Sequence, residues 1–525
     1  MSLKDLFKKI KPYLPFILAF IAGGILTLAF APYEIGILAI VSPGILLWCL
    51  TKQSPKKACL VGLCFGLGMF GLGANWVYVS IHTYGNSPEW LAAIITGLFI
   101  LLMSVYPAIL CLILNKYFTK HDFVRTLVIF PVLWTVFEIA RGWILTGFPW
   151  LYLGYTQMGS QLHSFAPVGG VFAVSWMTVL VSSLLYQIIM YFYESKGDTK
   201  LRNKLFVALI AVWALAFGVH QVPGPQQSDQ LLDVALVQGN IPQLMRWEPA
   251  HVATIVQTYR SLTEKALTNS QVIVWPEGAI PIPLPLSLNF FKEMGAVMRA
   301  NQNALISGVP NQLADQTHYF NSIIAVGNVG INNNGCENYN SPGCIYNKAR
   351  LVPFGEYVPF EKILRGVIDF LNLPMSSFVS GPHNQSPLIV QGYRFAPALC
   401  YEIAYPFYVQ DMSKDADFIL TISNDTWFGD SIGPLQHLQI AQFRALETGR
   451  YIIRATNTGY TAIINPAGKI QNIAQANQPT VLLGEIAQMK GQTFWVRYGY
   501  WPLYAALLLT FVGGLYWQNR KKRKK

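Results

Sequence analysis

Eight apolar runs decide what this chain can become: roughly 14–30, 34–50, 58–80, 90–114, 124–144, 166–193, 205–221 and 499–517. Each is about long enough to cross a ~30 Å hydrocarbon core. The first follows Lys4, Lys8, Lys9 and Lys11 as a signal peptide would. No small-residue cleavage site comes after it and further apolar runs do, so it reads as a first transmembrane helix. Only 12% of the residues are charged, against about 25% in soluble proteins, and that supports a membrane protein. The basic residues cluster between runs: Lys52, Lys56 and Lys57; Lys116, Lys120 and Arg125; Lys196, Lys200, Arg202 and Lys204; and Arg520 to Lys525. Loops near 31–34 and 81–89 carry no Lys or Arg. By the positive-inside rule both termini are cytoplasmic, and the long segment between the seventh and eighth helices lies on the outer face. Membrane topology thus accounts for the net charge of +12, and no nucleic-acid partner is expected.

The membrane part offers little chemistry. Gly66 to Gly71 matches G-x-G-x-x-G but lies inside an apolar helix, not after a soluble strand, so it is no nucleotide site. Gly62 and Gly66 fit close helix packing instead. Glu138 and Arg141, three apart, can face each other and anchor a helix. Phe148-Pro-Trp-Leu-Tyr152 suits an outer membrane–water boundary. The eight histidines show no metal-ligand spacing, and neither metal nor cofactor is expected. Cys49, Cys59, Cys64 and Cys111 read as packing residues, while Cys336 and Cys344 flank a polar loop and can pair if it faces an oxidising compartment.

Three domains follow: 1–222, a membrane domain of about seven helices; 223–497; and 498–525, a last transmembrane helix with a basic cytoplasmic tail. The middle segment opens on a Pro/Gly/Gln linker (Val222 to Gln230) and changes to short β-rich runs. Leu232–Val237, Val272–Trp275, Ala304–Gly308, Ser322–Val326, Phe395–Leu399, Phe418–Ser423, Tyr451–Ala455, Thr461–Ile464 and Val481–Gly484 read as strands. Amphipathic stretches at 249–269, 287–302 and 434–449 read as helices. Strands alternating with helices predict a layered α/β domain.

Within it, three apolar strands end on reactive side chains. Val272-Ile-Val-Trp-Pro-Glu277 delivers a carboxylate, the Asn347-Lys-Ala-Arg stretch delivers Lys348, and Pro397-Ala-Leu-Cys400 delivers a thiol. A thiol at neutral pH needs a base to become a nucleophile, and Glu277 fits that role if burial raises its pKa. Lys348 suits the charge on a tetrahedral oxyanion. Glu356 can orient Lys348. Glu402 either polarises the site or is a solvated surface carboxylate. The stretch 357–392, rich in apolar residues, is expected to form a lid dipping into lipid; an ordinary core helix is the alternative. Trp247, Tyr401 and Phe354 can line an acyl pocket or be plain core.

Trp275-Pro-Glu277, the Lys348 stretch and Cys400-Tyr-Glu402 resemble the Glu-Lys-Cys triad of the nitrilase superfamily. With membrane helices on both sides, the chain resembles the apolipoprotein N-acyltransferases, a membrane-embedded family of that superfamily. Gly73-Ala-Asn-Trp-Val-Tyr78, Glu138 through Trp150, and Gln238-Gly-Asn-Ile-Pro242 with Trp247 extend the likeness nearly end to end. The resemblance implies an αββα sandwich beside about eight transmembrane helices in a bacterial inner membrane, with the catalytic domain periplasmic. It further implies ping-pong transfer of an acyl chain from a phospholipid, through a Cys400 thioester, to a diacylated apolipoprotein, by a monomer. Two rivals stay open. A tethered amidase or nitrilase would carry the same triad, and a transporter with an outer binding module would survive loss of Cys400.

Overall fold

The computed structural model describes residues 9–119, 122–194, 198–330, 335–336, 341–353, 355–357 and 377–523. The chain forms two compact units, one of residues 1–223, 431–439 and 498–525, the other of 224–430 and 440–497.

In the first unit every one of the eight apolar runs contains a helix. Among the described residues four helices are long and apolar enough to cross a membrane: Pro55–Gly73, Glu89–Tyr117, Gln161–Tyr193 and Thr199–His220. Leu14–Ala29 and Leu38–Cys49 are apolar but shorter. The run at 124–144 becomes a π-turn, Arg125–Ile129, continuing into Phe130–Arg141, and the last run becomes Trp501–Arg523. Glycine brings backbones together here, as expected for helices that gain little from hydrophobic burial against lipid. A Cβ on Gly66 would come within 2.6 Å of Ser104 Cα, and one on Gly62 within 2.8 Å of Ala108 Cα, both in the helix Glu89–Tyr117.

Two expectations about this unit are corrected. Phe148, Trp150 and Tyr152 are at most 8% exposed, so this run is a buried cluster and not a boundary belt. The cause is a polar partner: the Trp150 indole donates to Gln436 Oε1 (2.7 Å), as does Trp76 (3.3 Å), while the Gln436 amide donates to Gly73 O. A buried indole N–H needs such an acceptor. Glu138 and Arg141 are both buried, yet among the described residues they form no ion pair. Each instead holds the backbone that follows. Glu138 Oε1 accepts from Leu153 N (2.8 Å), and Arg141 donates to the carbonyls of Phe148, Trp150 and Leu151.

The second unit contains β1 (Gln226–Gln238), β2 (Val272–Val274), β3 (Ala304–Gln312), β4 (Tyr319–Gly327), β5 (Ile345–Asn347), β6 (Leu388–Val390), β7 (Tyr393–Pro397), β8 (Phe418–Ser423), β9 (Ile452–Thr456), β10 (Ala462–Ile464), β11 (Ile470–Ile473) and β12 (Thr480–Lys490). All nine expected strands are present. The three unexpected ones, β5, β6 and β11, have three or four residues each, too few to show an alternation. Two six-stranded sheets result, ordered β12-β1-β2-β3-β4-β5 and β11-β10-β9-β8-β7-β6. Each has three parallel strands at its heart (β1, β2, β3 and β7, β8, β9) flanked by antiparallel ones. Helices Val252–Glu264 and Leu284–Ala300 bury Ile255, Tyr259, Phe291 and Met298 against Ile273, Trp275 and Leu305 of the first sheet. Central strands buried on both faces read as continuous apolar runs, as Val272–Val274 and Phe418–Leu420 do. Of the expected lid, residues 358–376 lie outside the described residues, and so does Phe354; the far end of that stretch supplies β6.

Candidate active site

Four strand ends meet in the second unit. Glu277 follows β2, Lys348 follows β5, Cys400 follows β7, and Ser423 closes β8. Strand β3 lets the Glu277 turn lie close, because it has Gly308 there: a Cβ would fall 2.7 Å from both Glu277 Cα and Gly278 N. Gly278 itself completes the turn at φ +59°, a conformation that glycine adopts without penalty.

Lys348 is 1% exposed, with its ammonium 2.8 Å from Glu356 Oε2 and 3.6 Å from Glu277 Oε1. Burial alone would lower its pKa, but the Glu356 and Glu277 carboxylates outweigh that and hold it raised. Lys348 is therefore a fixed cation at working pH. Asn321, on β4, ties the carboxylates together: its amide nitrogen donates to Glu277 Oε1 (2.8 Å) and to Glu356 Oε1 (2.7 Å). Its carbonyl also accepts from Lys348 N (2.8 Å). The second Glu277 oxygen accepts from Asn424 N at 3.0 Å, and the second Glu356 oxygen from Val352 N at 2.8 Å.

Cys400 occupies the left-handed region at φ +53°, a strained conformation for a residue with a Cβ and one that clusters at functional sites. It opens a one-and-a-half-turn 3-10 segment, Cys400–Ala404. Burial raises the thiol's pKa, Glu277 raises it further, and Lys348 pulls the other way. The resting sulfur therefore keeps its proton.

Of the two alternatives for Glu402, its full burial removes the solvated surface carboxylate. Its oxygens accept from Leu399 N (2.8 Å), Ala349 N (2.7 Å), Arg350 N (2.9 Å) and the Tyr346 hydroxyl (2.7 Å). One carboxylate thus pins the turn of Cys400 to the loop of Lys348. Burial pushes its pKa up to about 7, against the pull of Lys348 and of these donors.

Tyr401 is half-buried with its ring against Tyr405. Trp247 follows the short helix Gln243–Arg246 and is 38% exposed; Gln243 of that helix accepts from Asn424 Nδ2 (2.8 Å). Sequence reasoning passed over Asn321, Ser423, Asp425 and Arg454. The signal available was Ser423-Asn-Asp425, a polar triplet closing an otherwise apolar strand. Cys336 and Cys344 are disulfide-bonded, with Cα atoms 6.3 Å apart. Among the described residues no group of His, Cys, Asp and Glu has the makings of a metal site.

Residues 22–184 match the family described as the apolipoprotein N-acyltransferase N-terminal domain, and residues 233–493 match the carbon-nitrogen hydrolases. The apolipoprotein N-acyltransferase of Pseudomonas syringae is 39% identical over 499 residues, covering 94% of this chain and 95% of its own. That of Vibrio cholerae is 39% identical over 513 residues, 97% and 98% of the two chains. Among solved structures, the C. elegans NitFhit protein matches 52% of this chain and 64% of its own at 14% identity and a TM-score of 0.37, too distant to carry an argument. With an N-terminal helical region and a carbon-nitrogen hydrolase domain matched across nearly its full length, this chain belongs to the apolipoprotein N-acyltransferase family.

Proposed function

We propose that this protein transfers an acyl chain from a membrane phospholipid, through a thioester on Cys400, to the α-amine of the diacylglyceryl-cysteine that begins an apolipoprotein. The observation that carries this reading is the grouping of a thiol, a carboxylate and a buried ammonium at the ends of β7, β2 and β5.

Glu277 takes the Cys400 proton as sulfur attacks the ester carbonyl. The Lys348 ammonium stabilises the oxyanion that forms. Collapse breaks the ester C–O bond, and Glu277 returns the proton to the departing glycerol oxygen, releasing a lysophospholipid. In the second half the acceptor amine attacks the thioester carbonyl and gives its proton to Glu277. The C–S bond breaks, and the proton goes back to sulfur. Glu356 keeps Lys348 charged and aimed; Asn321 fixes the spacing of the two carboxylates. Tyr401 and Trp247 flank the acyl chain.

Both substrates reside in a bilayer, so the reading includes eight membrane-spanning helices in a bacterial inner membrane, both termini cytoplasmic, and a periplasmic catalytic domain. Alternation of basic and uncharged loops supports that orientation. The Cys336–Cys344 disulfide supports an oxidising compartment for the domain. The enzyme acts as a monomer in this account, because all three reacting groups come from one chain.

The test is intact mass of the purified protein after incubation with phospholipid vesicles, beside Cys400→Ala. An added acyl mass on wild type, removed by hydroxylamine and missing from the variant, is the expected result. Turnover of soluble amides with no acyl adduct would favour the tethered hydrolase instead.

A further inference from the structure

Behind the Cys400 sulfur lies a chain of buried polar groups that the acyl-transfer steps above do not use. Ser423 Oγ is 3.3 Å from Cys400 Sγ and 2.7 Å from Asp425 Oδ1. Asp425 Oδ2 is in turn bonded by Arg454 Nη2 at 2.5 Å, and Arg454 Nε donates to Tyr460 O at 3.2 Å. Ser423, Asp425 and Arg454 are 0%, 2% and 0% exposed, so bulk water does not compete for them. All three leave the second sheet, at β8 and β9, on the side of the sulfur supplied by that sheet, while Glu277 and Lys348 come from the first.

A hydroxyl has one proton and two lone pairs. Ser423 therefore donates to one of its two neighbours at a time. Beside an ionised carboxylate at 2.7 Å it donates to Asp425, and its lone pair accepts the Cys400 S–H. Once sulfur has lost its proton, the better acceptor is the thiolate, and the hydroxyl turns to it. Asp425 is not stranded by that turn, because Arg454 is always charged and stays bonded to it.

We propose that Ser423 is a two-position hydroxyl that accepts the Cys400 thiol proton at rest and donates to the thiolate during attack, with Asp425 and Arg454 as the positioning pair that resets it. This rests on the reading of Cys400 as the nucleophile. The only bond broken is S–H, whose proton goes to Glu277; the Ser423 O–H bond stays intact and only rotates. Because Ser423 touches the reacting sulfur it is a catalytic residue, whereas Asp425 and Arg454 act through it.

The test uses the full-length protein and iodoacetamide, with alkylation of Cys400 followed by peptide mass across pH. This readout needs no lipid chemistry. Ser423→Ala removes a hydroxyl that donates to the thiolate, so the rising limb of alkylation moves to higher pH. Acyl-enzyme formation slows by about ten- to a hundredfold, the size of one charge-assisted hydrogen bond. Ser423→Thr, which keeps the hydroxyl, restores the wild-type limb. A limb that stays in place in Ser423→Ala overturns the proposal, whether or not turnover falls, because a packing defect alone slows turnover without moving the limb. Should Ser423→Ala not fold, the infrared S–H stretch of wild type minus Cys400→Ala decides. A frequency lowered by hydrogen-bond donation supports the proposal, and that of a free thiol overturns it. If wild type shows no acyl adduct with phospholipid while the limb shifts as expected, the lipid reading fails and the hydroxyl switch stands.

Discussion

In the first sheet the middle parallel strand, β2, runs out into Glu277; in the second sheet the middle parallel strand, β8, runs out into Asp425. Both carboxylates lie just past an apolar strand and both face a cation. Their surroundings differ. The Glu277 side chain is 13% exposed and 3.6 Å from Lys348, whereas the Asp425 side chain is 0% exposed and in direct contact with an equally buried Arg454. A carboxylate sealed against a guanidinium can hold a neighbour in place but does not carry a proton, because Arg neither gives up its proton nor leaves easily. A carboxylate at longer range from a lysine, with an edge open, remains able to take and return a proton. The fold repeats a position; the counter-ion decides what that position does.

Changing the two carboxylates to their amides should separate these roles. Glu277→Gln keeps the shape and removes the base, so acyl-enzyme formation should fall by about 10²–10⁴-fold with little change in melting temperature. The rate of acyl-mass gain and a thermal melt check it. Asp425→Asn should behave in the opposite sense, with its main cost in folding. It removes the negative charge facing the buried Arg454, which destabilises by about 3–5 kcal/mol, read by thermal unfolding in detergent. Equal melting temperatures for the two variants would break the comparison.

A smaller effect tests how closely the first sheet must approach its carboxylate. Gly308→Ala on β3 pushes a methyl group against Glu277 Cα and Gly278 N, each 2.7 Å from the new carbon. The turn has to move, so the acyl-enzyme rate should drop on the order of tenfold or more, since small misplacements at a reacting centre are costly. Overpacking should lower stability by about 1–3 kcal/mol. An unchanged rate would mean that the position of Glu277 is not set by β3.

The smallest effect concerns Glu402, which joins the sheets through Leu399 on one side and Ala349 on the other. Its pKa in the folded protein, about 7, is above the ordinary carboxylate value of 4.5. A raised folded pKa means the native state binds the proton more tightly, so stability from this group is full below about pH 4.5 and is lost as pH rises through about 7. Glu402→Gln does not titrate. The melting temperature of wild type relative to this variant should therefore fall between pH 4.5 and pH 7, and a constant difference across that window would count against a neutral, buried Glu402.

What the sequence discloses follows the same division. Glu277, Lys348 and Cys400 stand out because each is a chemically capable side chain at the end of an apolar run, and a strand end is where a fold can present one. Asn321 is uncharged and inside β4, and matters only because register sets it beside Lys348 and between two carboxylates 44 and 35 residues away. Asp425 and Arg454 are 29 residues apart, on an ordinary-looking strand end and in the middle of a strand. Glu402 looks like a surface residue until its donors, about 50 residues upstream, are in place. The Phe148–Tyr152 run misleads for the same reason: its indole partner is Gln436, 286 residues on. Local pattern reveals strands and helices; partners distant in sequence decide whether a polar group is buried.

The helix Pro55–Gly73 has glycine against both neighbours, Gly62 and Gly66 toward Glu89–Tyr117 and Gly68 toward Leu14–Leu26, where a Cβ would meet Gly24 N at 2.8 Å. It is also the least apolar of the four helices able to span a membrane. Such a helix gains little by entering lipid alone and exposes bare backbone on two sides when it does. Its packing therefore depends on Leu14–Leu26, two helices earlier in the chain, and on the highly apolar helix after it. A chain halted before residue 117 leaves Gly62 and Gly66 without the helix that covers them.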